Sequence, residues 1–209
     1  MKEIMKKIIE RIKQLIFKPK ETWDMIKAEE TDEMGILKNY LLILTAFPAL
    51  ALFIGRWAIG LQIGNFFPYV KTYRFGFWSS FVTAVFWYVL TIASIWLAGK
   101  VISYLAPKFG SLQNDLNAFK LSVYSSTPLL VAGLLRIIPN LEILVVILGI
   151  WGFVILYFGL PIMMETPDEK KLPYYVVSVA IYICIYIILG AIISILSKIF
   201  GPDLPVPTS

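Results

Sequence analysis

The chain has 209 residues, of which 58% are hydrophobic and only 16% charged, against about 25% charged in a soluble domain. It has no histidine and one cysteine, which excludes histidine-based triads, most His/Cys metal sites and an internal disulfide. The net charge of +5 does not point to nucleic acid, because the cations sit beside apolar segments and no separate basic-aromatic surface exists. The composition therefore implies a membrane protein, with a lipid bilayer as its first partner.

Residues 1–35 form an arm ahead of the first apolar run. At 100° per residue, Met1, Ile4, Met5, Ile8, Ile9, Ile12, Leu15 and Ile16 share one face, and Lys2, Lys6, Lys7, Arg11 and Lys13 share the other with Glu3 and Glu10. This is an amphipathic helix. It has neither the continuous apolar core nor the small-residue cleavage site of a signal peptide. Two readings are open: a helix lying in the headgroup layer of an anionic leaflet, with Lys2, Lys6, Lys7, Ile8, Arg11, Ile12 and Lys13 at the membrane surface, or a helix docked on the protein itself. Pro19 ends it. Thr22 is placed to cap a second short helix, Trp23 to Glu30. The acidic stretch Glu29 to Glu33 reads as a solvated turn, since its carboxylates lack the spacing of a cation-binding loop.

Five apolar runs follow, at about 37–55, 77–98, 119–138, 143–164 and 174–196. Each approaches the roughly 20 residues needed to span a bilayer. Pro48 predicts a kink in the first. The third lies between Lys120 and Arg136, whose long side chains can snorkel to the interfaces. None alternates with period two, so a barrel is excluded. The expected fold is all-α, a bundle of five transmembrane helices over 36–199 with an amphipathic arm and a short tail, 200–209. Fourteen of the nineteen Lys and Arg residues fall on the arm's side of such a bundle, which places the amino terminus in the cytoplasm and the carboxyl terminus outside a cell membrane. Trp57, Phe66, Phe67, Tyr69, Tyr73, Phe75, Phe77 and Trp78 crowd the first outer loop as an interfacial belt or, alternatively, an apolar ligand pocket. Arg136 and Glu142 are placed to pair across the third hairpin. Cys184 lies in an apolar run and reads as filler.

No charge falls in the middle of a span. The polar signals are Tyr124-Ser125-Ser126-Thr127-Pro128 in the third run and Tyr157-Phe158-Gly159-Leu160-Pro161 in the fourth. Each proline removes a backbone donor, the hydroxyls can bond neighbouring helices, and Gly159 permits close approach. The two motifs read as packing around kinks or as a groove or gate. Ser125 and Ser126 have no base to activate them. No catalytic residue, cofactor or metal site is expected.

The order of features resembles the YIP family of membrane proteins. The carrying segments are Phe17-Lys18-Pro19-Lys20-Glu21-Thr22-Trp23-Asp24-Met25-Ile26 before the first span, Phe109-Gly110-Ser111-Leu112 leading to Tyr124-Ser125-Ser126-Thr127-Pro128-Leu129-Leu130, and Tyr157-Phe158-Gly159-Leu160-Pro161. The resemblance covers about Phe17 to Leu196 and implies five spans with a cytoplasmic amino terminus. Eukaryotic members bind Rab-type GTPases through longer soluble amino-terminal regions. The short basic arm here is closer to bacterial and archaeal members. The expected function is non-enzymatic, organising membrane or protein partners or a homo-oligomer. The alternative is a small transporter or channel subunit that uses the proline-broken third and fourth spans.

Overall fold

The computed structural model describes residues 2–63, 71–200 and 206–208. Two arm helices, α1 (Lys2–Phe17) and α2 (Pro19–Ala28), precede five long ones. These are α3 (Glu33–Ile59), α4 (Phe77–Phe109), α5 (Asp115–Ile137), α6 (Glu142–Met164) and α7 (Asp168–Phe200). All five are long and apolar enough to cross a membrane, and the architecture is the expected polytopic helical bundle.

Most of the long helices run past the apolar stretches that announced them. α4 continues eleven residues beyond Ala98, the expected end of its span, to Phe109. Its extension carries Lys100, whose ammonium bridges Glu33 of α3 (3.3 Å) and Asp115 of α5 (2.8 Å). Polar side chains that bond each other let these helix ends project beyond hydrocarbon. Gly110 then stops the helix in the left-handed conformation, φ +67°, which glycine adopts without steric cost.

At the end opposite the arm, β1 (Leu61–Ile63), β2 (Lys71–Arg74) and β3 (Val206–Thr208) form a small antiparallel sheet in the order β1-β2-β3. Leu61 pairs with Tyr73, and Thr72 with Thr208. Strands of three or four residues are too short for an alternation signal, and the sequence carries no mark of them. Beside the sheet, Phe53, Trp57, Phe77, Trp78 and Phe81 make stacked and edge-to-face ring contacts. Most of these rings are exposed, as a belt at a membrane interface requires. Phe66, Phe67 and Tyr69, expected in the same belt, lie outside the described residues, as does most of the 200–209 tail.

The five long helices are not equivalent. In the most apolar stretch of each, 78% of α5 is buried inside the protein, against 17–33% in the other four. α5 is also the least apolar of the five, with Asn117, Lys120, Ser122, Ser125, Ser126 and Thr127 along its length. Hydrocarbon offers such groups no partners. The helix that carries them therefore occupies the centre, and the oilier helices surround it.

α5 is regular from Asp115 to Ser125, restarts at Thr127 and tightens into a 3-10 turn over Gly133–Ile137. Pro128 falls in the first turn of the restarted segment, where its missing donor costs least. α6 presses on this break through Gly152. A Cβ there would lie 2.5 Å from the Ser125 carbonyl oxygen, a backbone atom that cannot swing away. Gly152→Ala should therefore cost about 1–3 kcal/mol and lower Tm by several degrees in detergent. Thermal unfolding followed by circular dichroism checks this; an unchanged Tm would show that the contact is not tight.

Candidate functional site

Arm and bundle meet at the broken centre of α5. Pro19 occupies the first position of α2, with φ preset for a helix and no donor to lose. α2 therefore begins four residues earlier than expected. Thr22 lies inside it rather than at its cap, and its hydroxyl donates to the Lys18 carbonyl (2.7 Å). This register turns Thr22, Trp23 and Ile26 onto one buried face.

Trp23 is the anchor. Its Nε1 donates to the carbonyl of Ile155 in α6 (3.0 Å), and its ring fills the space above Gly159, one helical turn further on. A Cβ on Gly159 would sit 2.3 Å from Trp23 Cε2. The indole meets the Tyr124 ring edge-on at 6.3 Å, and Tyr124 meets Tyr40 of α3 at 4.9 Å. The Tyr40 hydroxyl hydrogen-bonds the Thr127 hydroxyl at 2.9 Å, beside Pro128. One chain of rings and hydroxyls thus joins the arm, the first span and the break in the third.

Polar contacts surround this anchor. Lys120 is 2% exposed, and its ammonium donates to the Ile26 (3.0 Å) and Glu29 (2.8 Å) carbonyls at the end of α2. The expectation that Lys120 snorkels to the interface is corrected: its charge caps the carboxyl end of α2, where unpaired carbonyls and the helix dipole attract a cation. Arg11 pairs with Glu29 and stands 5.7 Å from the Tyr124 ring centre. Lys27 reaches Glu165 at 2.8 Å. In the acidic turn Glu30, Thr31 and Asp32 are exposed, as a solvated turn requires, while Glu29 pairs with Arg11, Glu33 with Lys100, and Asp32 caps α3 by accepting from Gly35 N–H (3.0 Å).

Tyr124, Thr127, Pro128 and Gly159 come together here. Ser125 and Ser126 are buried beside them. Ser126 donates back to the Ser122 carbonyl (2.8 Å), while the Ser125 hydroxyl has no hydrogen-bond partner. Tyr157 points elsewhere, against Tyr175 at 5.1 Å and Lys171 at 4.5 Å. Pro161 does not end α6. The helix runs to Met164 and stops at Glu165, a left-handed residue with φ +51°. Arg136 and Glu142 pair at 2.9 Å as expected, with the guanidinium 4.7 Å from the Trp87 ring centre.

The surface expectation for the arm divides. Lys2, Lys6, Lys7 and Lys13 are exposed. Ile8 is buried, Arg11 is paired, and Ile12 packs on the core cluster. These three are corrected from lipid contacts to protein contacts, because their face of α1 covers the side of α5 that no span covers. α1 does not stay at the bundle's edge: the Ile16 carbonyl accepts from Trp151 Nε1 (3.2 Å), about 20 Å of helix rise from the α6 end at Met164. Ile9 and Phe17 remain exposed, Phe17 at 79%.

Tyr40, Lys120 and Trp23 join the site beyond the residues expected from the sequence. The available signal is a lysine within a run otherwise read as a span, on a helix rich in hydroxyls, where a charge needs a partner. Among the described residues, no group of three or more His, Cys, Asp and Glu side chains is placed to hold a metal ion. This arrangement binds and orients helices through rings, hydroxyls and carbonyl caps.

The architecture is that of a multi-pass membrane protein. The family model described as the Yip1 domain matches residues 13–192, and the chain belongs to that family. It is similar to the inner membrane protein YohC of Escherichia coli K12, with 24% identity over 162 residues covering 76% of this chain and 80% of YohC. The YohC protein of E. coli O6:H1 strain CFT073 matches equally. No solved structure matches. The matched region begins within α1 and contains Trp23, Tyr124 to Pro128 and Gly159.

Replacing Trp23 by Ala should cost about 3–5 kcal/mol at this interface and expose the arm to trypsin at Lys20 and Lys27. Gly159→Ala should have the same effect, and the two changes together should cost much less than their sum, because each unseats the same ring. Limited proteolysis of the full chain in detergent, with Tm in parallel, reads both. Additive losses would show that the two residues act separately.

Proposed function

We propose that the protein is a non-enzymatic organiser at the cytoplasmic face of a cell membrane, with the bundle serving to hold the basic arm in a fixed pose. The supporting observation is the two-sided arm: Ile8, Leu15 and Trp23 fasten it to α5 and α6, while Lys2, Lys6, Lys7 and Lys13 stay exposed near Ile4 and Ile9. Cations beside exposed apolar side chains suit the headgroup region of an anionic leaflet, at about 1 kcal/mol per cation near the surface. The cation excess on the arm's side supports a cytoplasmic amino terminus and, with five spans, an external carboxyl terminus. A protein partner or a second copy of the chain would meet the same exposed strip.

The transport alternative rests on the broken spans. The break at Ser126 opens onto a cavity with mostly apolar walls, which suits an apolar molecule better than an ion or a polar solute. That favours the organiser.

A photo-crosslinking residue at Ile9 in native membranes should capture anionic phospholipid or one discrete protein. Reversing Lys6, Lys7 and Lys13 to Glu should cut the lipid capture at least tenfold and make it insensitive to salt. Equal capture of neutral and anionic lipid, with no protein adduct, would contradict the proposal.

A further inference from the structure

A cavity of about 280 Å³ lies between α4, α5, α6 and α7, on the other side of the α5 break from the arm. No residue of α1 or α2 lines it, so its use does not depend on the arm. Leu129, Phe153 and Leu156 supply apolar wall. Thr91, Ser125 and Tyr182, which also line the cavity, are 2%, 5% and 4% exposed, and none of the three hydroxyls has a hydrogen-bond partner. Three unpaired donors around an apolar space are costly to keep. They await an acceptor that arrives with an apolar body.

The way in is lateral. α7 packs on the half of α6 from Trp151 onward. Nearer the start of α6, Val146 and Ile150 both line the cavity and stand half-exposed on the surface. Around them that surface is apolar, so the mouth faces lipid. Arg136 is the charged side chain among the lining residues, and Glu142 holds it at 2.9 Å. The cavity therefore has no spare charge for an ionic headgroup. Size narrows the class further: an apolar cavity of about 150 Å³ holds benzene, so this one holds roughly a dozen carbon atoms.

We propose that this cavity binds a neutral lipid-soluble molecule that enters between α6 and α7, fills the apolar space with its hydrocarbon body and accepts hydrogen bonds from Ser125 and Thr91 through a carbonyl oxygen. Two membrane constituents share that chemistry, the ester carbonyl of an acyl lipid and the ring carbonyl of a prenyl quinone.

The test uses the full chain in a bulky-headed detergent, with monodecanoylglycerol and a decyl-tailed benzoquinone as separate probes. One or both should raise Tm saturably, and whichever acts identifies the source of the carbonyl. In Thr91→Val/Ser125→Ala, the unliganded Tm should hold or rise, because two of the three unpaired hydroxyls are gone, while the active probe binds about tenfold more weakly. Ile150→Trp, at the exposed mouth, should abolish the shift. Circular dichroism confirms that each variant is folded; should the tryptophan variant not fold, the double variant decides. No Tm shift with either probe, or equal shifts in wild type and the double variant, overturns the proposal.

Discussion

Hydrocarbon cannot hydrogen-bond, and that single fact orders this molecule. A helix with seven polar side chains in its first thirteen residues besides Tyr124, as α5 has from Asp115 to Thr127, is stable in a membrane only where protein supplies the partners. α3, α4 and α6 pack on it, α7 stands across the cavity, and one side is left uncovered near Lys120 and Tyr124. The arm closes that side. Lys120 then turns from a liability into a fastening, because the end of α2 presents carbonyls that need a cation as much as the ammonium needs acceptors. The amphipathic pattern of α1 follows from the same requirement, since one of its faces must match the bundle and the other must meet water or headgroups.

Glycine and proline make this closure possible. Gly159 gives Trp23 a flat seat, and Gly152 lets α6 touch the backbone where α5 restarts. Pro19 and Pro128 each occupy the first turn of a helix, where a missing N–H is harmless. The result is a centre in which one indole and two phenols connect three parts of the chain.

The spans were legible because runs of about twenty apolar residues have few other uses, and the third stood out by its hydroxyls and its proline. The family motifs were legible as a set, but their geometry was not. Trp23, Tyr124 and Gly159 lie in three separated segments, and only the packed structure shows that they share one contact. Lys120 was misread because a lysine near the end of a span snorkels in most settings; the arm that intercepts it is distant in sequence. Ile8 and Ile12 were ambiguous for a physical reason, since lipid and protein interior present nearly the same solvent to an isoleucine. The small sheet was invisible because three-residue strands carry no periodicity, and Tyr157 drew notice by its place in a motif although its ring faces α7.

The account depends most on the arm being folded against the bundle in the membrane itself. Lys27 and Glu165, whose side chains meet at 2.8 Å, offer a direct report. With Cys184 replaced by Ala, cysteines at 27 and 165 should be joined nearly completely by a short thiol crosslinker in native membranes, and Trp23→Ala should reduce that yield sharply. Little crosslinking in the otherwise wild-type chain, or a yield unaffected by losing Trp23, would contradict it.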